Sequence, residues 1–168
     1  ISSADPRATR HYRQAGFSLH PKMLMRGQLE RQSIPLINRV REGSAGDFEL
    51  MDSIDRRVRG AAHGPDHSLL LQSFHLLVSD RSTGSGYVFV AANGHPVLLA
   101  ATNRRTAAAL LWEAIATTPP GTETKFEGIT AINEWAIDVG LPAGLSFHTE
   151  GYVGLRQTKP PIPYLPHR

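Results

Sequence analysis

Residues 11–21, HYRQAGFSLHP, contain the end of an amphipathic helix, a Gly-Phe pair and the beginning of a strand. Asp5 and Pro6 mark where this helix begins, because Asp caps free backbone amides and Pro suits the first helical position. We predict that the helix stops at Gly16 and that residues 17–25 continue as extended chain. A helix running into a strand in this way is typical of the end of certain α/β domains, yet here it stands at the start of the sequence.

The clearest helix signal follows at residues 44–60. Ser44 and Asp47 have the spacing of a capping box, in which each side chain binds a free backbone amide of the first turn. Apolar residues then recur three or four positions apart, which places them on one helix face: Phe48, Met51, Ile54 and Val58. Gly60 is predicted to end the helix.

The remaining elements alternate between strands and helices. The patterns predict a strand at 36–41, a helix at 65–74, a strand at 76–79, a hairpin at 86–102, a helix at 104–116, a strand at 124–131, a short helix at 133–139 and a strand pair at 145–156. Asn93-Gly94 predicts a type I′ turn in the hairpin. The order predicts an α/β (α+β) fold with a mixed, mostly antiparallel central sheet and helices on both faces.

Composition excludes several classes of protein. The 168 residues include no Cys, which rules out disulfides, thiolate metal sites and Cys nucleophiles and favours a reducing, cytoplasmic location. No apolar run is long enough for a membrane helix, and the first 15 residues lack the apolar region of a secretory signal. Residues 1–41 carry eight Lys or Arg against two acidic residues, a bias that suits an acidic partner or an anionic cofactor. No RNA-binding type of module accompanies it, so we do not expect a nucleic-acid partner.

Three stretches resemble motifs of the GNAT superfamily of acyl-CoA-dependent N-acyltransferases. In TNRRTAAALLWEAI, residues 102–115, Arg104 stands at the first position of the family's [Q/R]-x-x-G-x-[G/A] turn, and Ala107 stands at its Gly. The resemblance implies acetyl-CoA as cofactor, its pyrophosphate held by backbone amides at the helix N-terminus. The implied cofactor-binding residues are Arg104, Arg105, Thr106, Ala107 and Ala108. The methyl group of Ala107 departs from the motif and predicts weakened or absent binding.

The family's late helix, N-x-x-A-x-x-x-Y-x-x-x-G-F, resembles two segments. Residues 133–147, NEWAIDVGLPAGLSF, match at Asn133 but have Gly140 where the family's general-acid Tyr stands. Residues 8–21 match better, with Tyr12 at the acid position. This implies that residues 1–35 are the last helix and strand of an upstream GNAT-like domain. Residues 36–156 are then a degenerate second copy, and residues 157–168, QTKPPIPYLPHR, are a Pro-rich extended tail.

The candidate site residues each admit a structural alternative. By the resemblance, Tyr12 is a catalytic acid that works only with the upstream domain, and otherwise it is a half-buried helix aromatic. His63, Asp66 and His67 form a candidate ligand site. Gly64-Pro65 interrupts any helix between the two imidazoles, so we expect no metal there, and a cap for the next helix or a polar patch facing a ligand are the other interpretations.

The resemblance predicts the C-terminal portion of an acetyl-CoA-dependent N-acetyltransferase that acts on an amine, with this segment itself non-catalytic. The alternative is a structural, dimerisation or ligand-binding module with no acetyl transfer. Expected partners are an upstream GNAT domain or a second copy of the chain, as in a homodimer, and a small-molecule amine. An exposed strand edge promotes aggregation, so we expect residues 17–26 to join a sheet of this chain or of a second copy.

Overall fold

The computed structural model describes residues 1–167, which form two antiparallel sheets with helices packed against them. The helices are α1 (Pro6–Gln14), α2 (Phe48–Arg59), α3 (Asp66–Ser73), α4 (Arg104–Ala116) and α5 (Ile137–Gly140), with short 3-10 turns at Arg31–Ser33, Ala45–Asp47 and Ala131–Ala136. The strands are β1 (Ser2–Ser3), β2 (Ser18–Gln28), β3 (Arg41–Glu42), β4 (His75–Ser79), β5 (Gly86–Val90), β6 (Pro96–Ala101), β7 (Glu123–Thr130), β8 (Ser146–Leu155) and β9 (Tyr164–Leu165). The predicted mixed, mostly antiparallel α+β class is confirmed, although the strands divide between two sheets.

The five-stranded sheet, which we call sheet B, has the strand order β3-β4-β5-β6-β9. Its central strands are consecutive in the chain, and the predicted hairpin joins β5 to β6. The type I′ turn is wrong: Gly94 has a φ of 82°, but Asn93 does not share the positive φ that this turn needs. The strand predicted at 36–41 is also shorter and later, since β3 covers only Arg41–Glu42.

The four-stranded sheet, which we call sheet A, has the strand order β1-β8-β2-β7. Strand β2 lies between β7 and β8 and pairs with both, so the expectation that residues 17–26 join a sheet is confirmed within this chain. The strand pair predicted at 145–156 is instead the single strand β8, in which Gly151 takes a φ of 80° at a bulge. Strand β2 therefore fills the place that the predicted second strand would have taken, and residues 1–35 share a sheet with residues 123–155.

Helix α4 forms much of the core between the sheets, as its Ala-rich apolar sequence predicts. Its fully buried side chains are Ala107, Leu110, Leu111, Ala114 and Ile115, and they pack in a cluster with residues from both sheets. Helix α2 covers the other face of sheet B, where Met51 and Ile54 meet Tyr87 and Phe89. Sheet B is thus buried on both faces, which explains why its strands are almost entirely apolar.

The helix-start signals read from the sequence are present. Asp5 accepts a 2.7 Å hydrogen bond from the amide of Arg7 at the start of α1. Ser44 and Asp47 form the predicted capping box before α2, and Gly60 ends α2 with a φ of 85°. Among the helices of residues 1–167, none combines the length and apolar character that crossing a bilayer requires.

Candidate functional site

A buried polar cluster lies between α2, α3 and sheet B, and it includes two of the three predicted ligand residues. His63 Nδ1 is 2.7 Å and His67 Nε2 is 3.1 Å from the same oxygen, Asp55 Oδ2. Tyr87 donates a 2.6 Å hydrogen bond to the other oxygen, Oδ1. We call Asp55, His63, His67, Tyr87 and Tyr164 the polar cluster.

Asp55 is the centre of the cluster, and its side chain is completely buried. Burial by itself raises the pKa of a carboxyl group, but hydrogen bonds from His63, His67 and Tyr87 together hold the pKa of Asp55 well below its usual value. The backbone amide of His63 adds a further 3.2 Å hydrogen bond. Asp55 is therefore a carboxylate at neutral pH, and its oxygens accept four hydrogen bonds.

The cluster extends outward from Asp55 through one imidazole to the C-terminal tail. Since Nδ1 of His63 faces the carboxylate, it carries the proton, and in the neutral ring Nε2 accepts from the Tyr164 hydroxyl at 3.4 Å. Tyr164 also borders a cavity of about 250 Å³ with Arg59, Thr130 and Asn133. Burial raises the pKa of Tyr164 to about 12, so this phenol keeps its proton at neutral pH.

The turn between α2 and α3 explains how both imidazoles reach Asp55. Gly64 takes a φ of 56°, and its amide donates to Asp52 at 3.1 Å, which folds residues 60–65 back over α2. Gly64-Pro65 does interrupt the helix, as predicted, but the interruption does not separate His63 from His67. Their rings lie 5.4 Å apart.

Asp66 stays outside the cluster and is solvent-exposed. It makes no side-chain hydrogen bond to the first turn of α3, so the interpretation as a helix cap is wrong within the part of the chain that the structure describes. The acidic residue that contacts both imidazoles is instead Asp55, which sequence reasoning missed. Its signal was available, because it lies four residues after Met51, close to the apolar face of a helix where an Asp needs a partner.

The cluster is also where potential metal ligands converge. Donor atoms of Asp55, His63 and His67 lie within 4.8 Å of one another, and Asp52 Oδ1 is 3.2 Å from His67 Nε2. Two features fit a hydrogen-bonded network better. The 2.7 Å between Asp55 and His63 is short for two ligands of one metal ion. Nδ1 of His67 is buried without a partner among residues 1–167, whereas metal-bound imidazoles normally donate their second N–H.

At the turn that the resemblance assigns to the CoA pyrophosphate, two backbone amides already have hydrogen-bond partners within the protein. Asn103 caps α4, and its side chain accepts from the amide of Thr106 at 2.9 Å, while its carbonyl accepts from the amide of Ala107. The Ala107 side chain is fully buried in the core. Arg104 and Arg105 are exposed, and the groove beside them is also bordered by two acidic residues, Glu134 and Asp138. Partnered amides and acidic neighbours do not fit a pyrophosphate.

The late helix has no room for the family's Tyr. A Cβ on Gly140 would lie 2.8 Å from the Met25 side chain and 3.0 Å from that of Phe126, so a larger side chain at this position would have to displace these two buried side chains. Asn133 has a clear role that sequence reasoning missed. Its side chain donates to Pro161 O at 3.0 Å and accepts from the Tyr164 amide at 3.0 Å, which fastens the tail beside sheet B.

Tyr12 lies on α1, half-buried, with its ring 5.9 Å from that of Phe17. Its hydroxyl makes no hydrogen bond to any residue in 1–167, and none of its described contacts reaches the polar cluster or residues 103–108. The structure therefore brings together His63 and His67 but not the other predicted site residues.

No protein-family model matches the sequence, and no curated protein matches it. The resemblance to the GNAT superfamily consequently remains a prediction from three short motifs and the order of the elements.

Proposed function

We propose that this chain is the C-terminal part of a GNAT-type N-acetyltransferase and that its own copy of the fold is a non-catalytic scaffold. The observation that carries the proposal is the position of β2. The segment assigned to an upstream copy, residues 1–35, contributes the central strand of sheet A, between β7 and β8. A strand donated by one copy to the sheet of the other would hold the two copies in a fixed relation. Separating them would break the pairing of β2 with β7 and with β8.

Catalysis would then belong to the upstream copy. Two features support this assignment: the closed turn around Ala107 and the tight packing of Gly140, which together leave this copy without a phosphate cradle and without a general acid. Tyr12, on the helix assigned to the upstream copy, would supply the proton to the leaving thiolate there. The acceptor in this proposal is a small-molecule amine, and the location is the cytoplasm.

Thiol release from acetyl-CoA tests the proposal directly, since a chain without Cys contributes no thiol background. We expect the 168-residue chain to release no CoA above the spontaneous rate with a panel of small amines. A longer polypeptide that includes the preceding copy should release CoA with an amine acceptor, and Tyr12→Phe should slow this release by about 10²-fold or more. The matched control is Tyr152→Phe, an exposed Tyr on β8. A longer product that never turns over acetyl-CoA would contradict the proposal.

A ligand-binding module without acetyl transfer is the second candidate, and the cavity beside Tyr164 favours it. A hydroxyl, a guanidinium and an amide from Tyr164, Arg59 and Asn133 border about 250 Å³ of space. Under this alternative, small amines or carboxylates would shift the NMR signals of Thr130 and Asn133 while the longer product shows no turnover. Turnover together with unchanged signals would eliminate it.

A further inference from the structure

The cavity of about 250 Å³ beside Tyr164 combines one cationic residue with a largely apolar wall. Arg59 at the end of α2 is the cation. The apolar wall comes mainly from β8 and from the Pro-rich tail, through Val153, Leu155, Pro160, Pro161 and Pro166. Among the described residues no acidic side chain borders this space. We call it the Tyr164 cavity.

Arg59 supplies a positive charge that the protein leaves largely uncompensated at this point. One of its guanidinium N–H groups donates to Ala61 O at 2.9 Å. Within residues 1–167 Arg59 forms no ion pair with a carboxylate. A guanidinium carries five N–H donors, so most of them remain for a ligand. The charge of Arg59 also lowers the pKa of Tyr164, against the larger effect of burial, which indicates that the guanidinium acts on the hydroxyl of the same cavity.

The polar cluster fixes the direction of the Tyr164 hydroxyl group. Asp55 Oδ2 lies 2.7 Å from Nδ1 of His63 and holds the imidazole proton there, so Nε2 faces Tyr164 as an acceptor at 3.4 Å. The phenol proton therefore points toward His63. Lone pairs of the Tyr164 oxygen remain, and a group that binds to them has to be a donor.

Asn133 holds the wall of the cavity in place. Its amide nitrogen donates to Thr130 Oγ1 at 3.3 Å and to Pro161 O at 3.0 Å. Its amide oxygen accepts from Trp135 Nε1 at 2.9 Å and from the Tyr164 amide at 3.0 Å. These four hydrogen bonds use both donors and both lone pairs of the side chain. The tail is thus fastened to the end of β7, and little ordering is needed before a ligand binds.

We propose that the Tyr164 cavity binds a small hydroxy acid with an apolar body. Its carboxylate would accept from Arg59, and its hydroxyl group would donate to the Tyr164 oxygen. An ammonium group in place of the hydroxyl would bring a second positive charge beside Arg59, and no described acidic residue of the wall would offset it. The Pro and aliphatic residues of the wall suit the apolar body. This inference rests on the ligand-binding candidate above and adds the class of ligand.

Isothermal titration of the 168-residue chain at pH 8 with 3-phenyllactate and with 3-phenylpropanoate tests the inference, because the two acids differ only in the hydroxyl group. We expect one equivalent of phenyllactate to bind about three- to ten-fold more tightly than phenylpropanoate. Arg59→Gln should weaken the binding of both acids at least about ten-fold. The control is Arg57→Gln, an exposed arginine of the same helix. It should change either affinity by less than about two-fold, because solvent screens its charge.

Tyr164→Phe separates a ligand contact from a merely structural role, since it keeps the ring and removes the acceptor. It should lower the affinity for phenyllactate about three- to ten-fold and change that for phenylpropanoate by less than about two-fold. Equal weakening of both acids would overturn the inference, and so would tighter binding of phenylalanine than of phenyllactate. Equal affinity of the two acids for the wild type would overturn it too but leave the ligand-binding candidate standing. Absence of binding by all three compounds would remove both, and none of these outcomes bears on acetyl transfer.

Discussion

In sheet B the three central strands follow one another along the chain, whereas in sheet A the central strand β2 comes from one end and its neighbours β7 and β8 from the other. Sheet B pairs through short connections, so little chain entropy is lost when its strands meet. Sheet A pairs residues 18–28 with residues 123–155, so its formation closes a long loop that contains β3 to β6 and α4. The N-terminal segment thus supplies β1 and β2 to sheet A, whereas the described strands of sheet B all come from later in the chain.

Deleting residues 1–28 should have the largest effect, because it removes β2 and leaves β7 and β8 without their shared partner. Met25 of β2 is fully buried in the core that α4 shares with both sheets. We expect loss of cooperative unfolding, since the burial lost is comparable with the whole stability of a domain of this size, about 5–15 kcal/mol. Hydrogen exchange of β7 and β8 amides measures it.

The control for this deletion removes only residues 1–4, which contain the two-residue edge strand β1 and leave the Asp5 cap in place. That variant should keep protected amides throughout β2, β7 and β8. Native-like protection of β7 and β8 in the longer deletion would contradict the claim that sheet A depends on its inserted strand.

The same contrast explains what the sequence could predict. The boundaries of α1, α2 and α4 follow from caps, apolar spacing and the glycine stop, all of which act within a few residues. The pairing of β2 with β8 leaves no local signal. Residues 145–156 therefore appeared to be a strand pair, because Glu150-Gly151 is equally typical of a turn and of a bulge.

The candidate site divides in the same way. His63 and His67 were recognised because they are close in sequence, but their shared partner Asp55 was missed, since only the turn at Gly64 brings it to them. Residues close together in the sequence could be predicted to share a site, whereas contacts between remote segments could not.

Asp55→Asn should have the next largest effect, and it should destabilise the packing of α2 and α3 against sheet B. The change removes the charge that three side-chain donors share, and we expect a loss of about 3 kcal/mol in the free energy of unfolding at pH 7. Asp52→Asn is the matched control, because its side chain is 27% exposed and solvent can replace its contacts. It should cost about 1 kcal/mol or less. Urea titration measures both variants.

The pH dependence of this loss follows from the pKa of Asp55, which is lower in the folded protein than in the unfolded chain. The stability that the carboxylate adds is complete above the unfolded-state value of about 4 and declines as the pH falls toward the folded-state value. The difference between the wild type and Asp55→Asn should therefore shrink between about pH 4 and pH 2. A difference that stays constant through this range would show that its cause is packing and not charge.

Zinc addition should have the smallest effect of all and tests whether the polar cluster is a network or a metal site. A tetrahedral ion with bonds of about 2.0–2.1 Å would need its ligand atoms about 3.3 Å apart, whereas Asp55 and His63 approach to 2.7 Å. It would also have to displace the proton through which His67 contacts Asp52 and Asp55. We expect one equivalent of Zn²⁺ to change Tm by less than about 1 °C in the wild type and in His67→Asn alike. A rise of several degrees that His67→Asn abolishes would instead establish a metal centre, and sheet B would then owe part of its stability to an ion that its local sequence pattern gave no reason to expect.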